Sequence, residues 1–84
     1  MRYLRDIPHP TLKIGVYAWN QKHIVKIEAG PFEQTYKIAD TDLTDPDAEV
    51  TALLDADFLA RVDRRFHDMA ADWQESLARN GTEW

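Results

Sequence analysis

Ser76 is the only serine in the chain, and cysteine is absent. Nucleophilic catalysis needs a hydroxyl or thiol held beside a base and aimed by a sharp turn. Ser76 sits one residue before Leu77 in a helical stretch with no glycine elbow around it, so it reads as an ordinary helix-surface residue. The histidines, His9, His23 and His67, fall in three different segments. Asp63 and His67 stand four apart and share a helix face, which offers two ligands to an ion; no third accompanies them, and a surface Asp–His pair is the simpler reading. His23 falls on the inward face of a strand near its end, the place of a hydrogen-bonded core-edge histidine. The acidic run Asp40, Asp42, Asp45, Asp47 and Glu49 invites calcium. Counted from Asp40, however, Asp45 stands where an EF-hand loop requires glycine, and Thr51 where it requires glutamate. Acidic groups favouring a helix N-terminus account for the run. Gly15, Gly30 and Gly81 lie too far apart for a phosphate-cradling loop. No catalytic, cofactor-binding or metal-ligating residue is assigned, and the chain is expected not to be an enzyme.

The informative side chains lie elsewhere, and period-two alternation positions them. From Leu12, the residues Leu12, Ile14, Val16 and Ala18 point one way and Lys13, Gly15, Tyr17 and Trp19 the other. A second run sets His23, Val25, Ile27 and Ala29 against Ile24, Lys26 and Glu28, and a third sets Phe32, Gln34, Tyr36 and Ile38 against Glu33, Thr35, Lys37 and Ala39. A turn at Asn20-Gln21 brings Val16 opposite Val25, Ile14 opposite Ile27 and Lys13 opposite Glu28; a one-residue slip destroys all three pairings. A turn at Gly30-Pro31 brings Val25 opposite Tyr36 and Ile27 opposite Gln34, at the cost of the like-charge pair Glu28–Glu33. The prediction is a three-stranded antiparallel meander, order 1-2-3, with one apolar face. Its outer face carries Tyr17, Trp19, Ile24, Lys26, Thr35 and Lys37, with Lys13 and Lys22 beside them. Aromatics in a wet position suit a protein interface. Interleaved with lysines they also suit stacked bases and phosphates, and simple strand propensity explains them equally well.

Helix follows. Thr44 or Asp45 is a candidate N-cap, with Pro46 at or near the first helical position. Val50, Leu53 and Leu54 are the apolar residues of a short helix that Asp55-Ala56-Asp57 interrupts. A longer helix is expected from about Phe58 to Arg79, with Asn80-Gly81 as its stop. Its apolar stripe, Phe58, Val62, Phe66, Met69, Trp73 and Leu77, recurs at steps of three or four. Asp57–Arg61, Arg64–Asp68 and Glu75–Arg79 are i,i+4 pairs on the wet side. A helix of this length is about 33 Å long and a three-stranded meander about 10 Å wide, so unless the helix runs along the strands, an end carrying Met69, Trp73 and Leu77 overhangs. That end needs Tyr3, Leu4 and Ile7, or a second protomer.

The fold class is therefore α+β: a meander covered on one face by a long C-terminal helix, with a short helix before it. Eighty-four residues allow one domain. It divides into a segment 1–10, the meander 11–39, an acidic capping loop 40–45 and a helical part 46–80. Residues 1–39 hold six basic and three acidic side chains, and residues 40–84 four basic and twelve acidic. Such an acidic half argues against general nucleic-acid coating. Neither a signal peptide nor a membrane span is legible, and the expected compartment is the cytoplasm. Ile7-Pro8-His9-Pro10, the Trp19-Asn20 turn, and Gly30-Pro31 followed by Glu33-Gln34-Thr35-Tyr36-Lys37 give the chain, over its whole length, a resemblance. It resembles short uncharacterised bacterial proteins of unassigned function. That implies a stand-alone bacterial protein and no activity, cofactor or site residue. The expected function is a small protein-interaction or oligomerisation module, its partner another protein or itself as a homodimer, through Tyr17, Trp19, Ile24, Lys26 and Lys37. A nucleic-acid-binding module using the same face is the alternative, and no membrane is involved. Trp19→Ala with Tyr17→Ala is expected to leave the fold intact and weaken association.

Overall fold

Alternating apolar residues close into strands wherever a turn can reverse the chain, and here two turns do so with two residues each. Asn20 and Gln21 both take left-handed backbone angles (φ 53° and 60°), the pair that a type I′ hairpin turn requires. Gly30 takes φ 57° ahead of Pro31, as a turn with glycine first demands. The computed structural model describes residues 1–81. It is an α+β fold with strands β1 (Arg2–Ile7), β2 (Lys13–Trp19), β3 (Lys22–Ala29) and β4 (Phe32–Ala39) in one antiparallel sheet, order β1-β2-β3-β4. A single 3-10 turn (Asp40–Asp42) leads to helices α1 (Pro46–Leu53) and α2 (Ala56–Arg79).

The central register is the expected one. Lys13, Ile14 and Val16 face Glu28, Ile27 and Val25, and Val25, Ile27 and Glu28 face Tyr36, Gln34 and Glu33. Lys13 Nζ lies 3.7 Å from a Glu28 carboxylate oxygen.

The sheet has four strands rather than three. Residues within the N-terminal segment pair with β2, placing Tyr3 opposite Tyr17, Arg5 opposite Val16 and Ile7 opposite Ile14. A bulge between Tyr3 and Arg5 breaks the alternation. Tyr3 therefore lies on the outer face while Arg5 and Ile7 lie on the inner one, and no single period-two pattern runs through the strand. Its apolar residues consequently do not cover the end of the long helix: Tyr3 is on the opposite side of the sheet, and Leu4 and Ile7 pack against the core.

That core joins Leu12, Ile14, Val16, Val25 and Ile27 of the sheet side to Val50 of α1 and Val62 and Phe66 of α2. Gln34 is the one buried polar side chain among the described residues, at 7% exposure. Its amide nitrogen donates to the Val62 carbonyl at 3.0 Å, and its Oε1 accepts from the Tyr36 hydroxyl and, at 3.4 Å, from Arg65. A polar residue is tolerated in so thin a core because both ends of its amide are hydrogen-bonded, the nitrogen to α2 and the oxygen to Tyr36 and Arg65.

Asp45 is the N-cap of α1 with Pro46 following, but its own side chain makes no cap bond. Glu49 reaches back instead, accepting from the backbone N–H groups of Thr44 (2.8 Å) and Asp45 (3.1 Å) and from the Thr44 hydroxyl. Those donated bonds hold its carboxyl below the ordinary 4.5. A depressed folded-state pKa gives a contribution present above the unfolded value and lost as pH falls through the folded one. Glu49→Gln is therefore expected to flatten the stability loss on acidification below pH 4.5, measured by urea unfolding at several pH values. Parallel wild-type and variant profiles would refute it.

Asp55 caps α2 by accepting from Phe58 N at 2.8 Å, and Asn80 with Gly81 (φ 69°) ends it. Of the three expected i,i+4 pairs only Asp57–Arg61 closes, at 3.1 Å, while Asp63 and His67 approach to 3.5 Å. With 24 residues α2 is about 36 Å long. Val62 and Phe66 enter the core, Met69 touches its margin, and Trp73 beyond is 48% exposed. The overhang shows in the shape. The radius of gyration is 15.1 Å, against about 12 Å for a compact chain of this length, and the longest dimension is 49 Å.

Candidate interaction surface

The groups first weighed for chemistry are engaged structurally. His9 Nδ1 accepts from the backbone N–H of Thr11 (3.2 Å) and Leu12 (3.0 Å), pinning the approach to β2. His23 Nδ1 lies 2.6 Å from Asp40 Oδ1, with only 12% of the histidine side chain exposed, so it fastens the 3-10 turn to the sheet end. The Asp40 backbone N–H adds a 3.0 Å bond to the Gln21 carbonyl. Among the described residues no three of His, Asp and Glu converge in a way that could hold a metal ion. No described helix is long and apolar enough to cross a membrane.

The outer face of the sheet is built in rows. Cross-strand pairing aligns Tyr3, Tyr17, Ile24 and Lys37 from β1 to β4 in one row. The next contains Asp6, Gly15, Lys26 and Thr35, and the one on the other side contains Trp19 and Lys22. The Tyr3 and Tyr17 rings meet edge to face at 5.7 Å, and Lys26 Nζ lies 5.2 Å from the centre of the Tyr17 ring. Tyr17 leans over Gly15, where a side chain would meet its ring: a Cβ there would stand 3.1 Å from Tyr17 Cε1. Desolvation, and then the Asp6 carboxylate beside it, push the Tyr3 phenol above its ordinary 10.0, so it stays a neutral donor.

Four of the five residues expected on this surface reach it. Tyr17 and Lys26 are half-buried by their mutual stacking, Lys37 is exposed, and Trp19 is 54% exposed. Ile24 is the correction. It belongs to the outer face by register yet is 1% exposed. Tyr17 and Lys37 flank it across the strands, and Lys22 and Lys26 along its own, so aromatic rings and lysine stems close over it. Ile24 is the floor of the surface and not a contact. Tyr3, 55% exposed, is an outer-face aromatic that sequence reasoning did not place there, because the bulge concealed its strand.

An apolar cleft lies on the other side of the sheet. Its volume is about 280 Å³, and it lies between β4 and the helices, lined by Tyr36, Ile38, Val50, Leu53, Leu54 and Phe58 among others. The lining is apolar and presents no set of convergent polar groups that could orient a substrate. No family model matches the chain, and no curated protein or solved structure is detectably similar to it.

Proposed function

We propose that the protein is a protein-interaction module that docks a partner on its outer sheet face and carries no catalytic chemistry of its own. The observation that supports this is the pair of exposed aromatics, Tyr3 and Trp19, on a platform stiffened by Tyr17, Lys26 and a fully covered Ile24. Rigid aromatic groups lose little conformational entropy on binding and are the commonest energetic anchors of interfaces. Truncating Tyr17 would uncover Ile24 and mix stability with binding, so the clean test removes the two exposed rings. Tyr3→Ala with Trp19→Ala is expected to keep the thermal midpoint within a few degrees of wild type. The same variant should lose most captured partner in pull-downs from a native lysate treated with nuclease. Undiminished capture by this variant would end the proposal.

Nucleic acid is the second reading, motivated by Lys26 over Tyr17 beside exposed Trp19. It is weakened because Asp6, Glu28 and Glu33 share the face with Lys13, Lys22, Lys26 and Lys37. Partners that vanish with nuclease, and binding that falls steeply with salt, would move it to first place.

A further inference from the structure

We infer that the protein self-associates through the free edge of β4, in an antiparallel register centred on Thr35, to give an eight-stranded sheet across a two-fold axis. This goes beyond the outer-face reading and uses the backbone edge of β4, which shares Lys37 with that face. Among the described residues β4 has only β3 as a neighbour, so one side of its backbone is unpaired in the sheet. A two-residue turn makes Ala29 and Phe32 a hydrogen-bonded pair, so Phe32, Gln34, Tyr36 and Ile38 direct their backbone groups to β3. Glu33, Thr35, Lys37 and Ala39 direct theirs outward. Proteins blunt such edges with bulges, prolines or charged side chains; β4 carries exposed Glu33 and Lys37, which in the register below pair with those of a second copy rather than repel them. The opposite edge, β1, has its bulge, whereas β4 pairs without interruption from Phe32 to Ala39.

The side chains select the occupant. Glu33 and Lys37 are exposed, and neither has an ion-pair partner among the described residues. Glu33 instead faces Glu28 across the hairpin, an unfavourable neighbour, and accepts a 2.9 Å bond from Thr35. Glu33 and Lys37 lie symmetrically about Thr35 on one face of the strand. A second copy running antiparallel with Thr35 on Thr35 therefore sets Glu33 against Lys37 of the other copy, and Lys37 against Glu33, in an isologous contact. Sliding by two residues either way pairs Glu33 with Thr35 or with Ala39 of the other copy and leaves both charges unmatched. The chosen register forms about six backbone hydrogen bonds. It also brings Phe32 of one copy opposite Ile38 of the other, at the mouth of the apolar cleft lined by Ile38, Leu53 and Phe58. Backbone pairing, charge and apolar contact thus agree on one arrangement.

Sedimentation velocity across the micromolar to millimolar range tests it. Wild type is expected to pass from the 9.8 kDa monomer to a species of twice that mass. Glu33→Lys alone and Lys37→Glu alone each place two like-charge pairs across the axis and are expected to weaken the dimer about tenfold. The doubly reversed chain, E33K with K37E, is expected to recover wild-type affinity to within about threefold, because the pairing is restored with its sign exchanged. Both side chains are exposed, and thermal melts run on dilute monomer check that the fold is unchanged. Wild type that stays monomeric throughout overturns the inference. So does a dimer indifferent to the single reversals, or a double variant weaker than either single. A dimer that instead responds to Trp73→Ala alone overturns it by placing the contact on the overhanging end of α2.

Discussion

Ile24→Ala is expected to destabilise the protein by about 2–4 kcal/mol, as much as a substitution in the main core, although Ile24 points away from that core. The side chain is 1% exposed, matching Ile14, and removing three carbons from beneath Tyr17 and the lysine stems leaves a cavity they can only partly fill. A domain of 84 residues has about 4–13 kcal/mol of total stability, so this loss is a large share of it. The thermal midpoint should fall by at least about 10 °C. Trp19→Ala, on the same face but half exposed, should move it by no more than a few degrees. Ile24→Val, which keeps most of the volume, should cost about 1 kcal/mol. An Ile24→Ala midpoint as close to wild type as that of Trp19→Ala would show that the outer face is an open surface with no floor.

Much of the architecture was legible because it depends on local rules that agree with one another. The β2–β3 register followed from three cross-strand pairs that stand or fall together, and the start of α1 at Pro46 and the stop at Asn80-Gly81 from local chemistry, although Glu49 rather than Asp45 engages the N-terminal backbone of α1. The comparison of lengths anticipated an exposed end of α2 at Trp73, but it used three strands rather than four and assigned Met69, which packs against the core, to that end. β1 was illegible because a single extra residue at Leu4 moves Arg5 and Ile7 to the other face, so the alternation that announces a strand is absent from Arg2–Ile7. The burial of Ile24 was illegible for a different reason. Period two assigns a face, but whether that face is wet at a given point depends on how the neighbouring side chains lie, here Tyr17 and the lysine stems closing over Ile24. Register therefore placed the outer-face residues correctly but not their exposure: Ile24 is buried beneath its neighbours, and the exposed Tyr3 lies beside them on that face.

The unrecognised strand also explains how α1 is held, which leads to the second large effect. An isolated helix of eight residues is not stable in water, so α1 must be fixed by what it touches. Val50 is its only fully buried residue. The other attachment is Arg5, which the bulge turns toward the inner face. Its Nη2 donates to the Asp47 carbonyl at 2.8 Å and to Thr51 Oγ1 at 2.9 Å, and its Nε lies 3.5 Å from an Asp47 carboxylate oxygen. The ion pair itself is exposed on the Asp47 side and contributes little; the two charge-assisted hydrogen bonds contribute the attachment, about 1–3 kcal/mol together. Arg5→Ala is expected to release α1 while leaving the sheet closed. Amide exchange over residues 46–53 should then quicken by roughly thirtyfold, the equivalent of about 2 kcal/mol of local opening, with β2 and β3 changing far less. Both bonds leave the single nitrogen Nη2, and a lysine ammonium has three donors on a shorter stem, so Arg5→Lys should recover part of the protection. Exchange that rises equally in α1 and the central strands would mean that Arg5 supports the whole fold, and unchanged exchange in α1 would mean that Val50 alone holds the helix down.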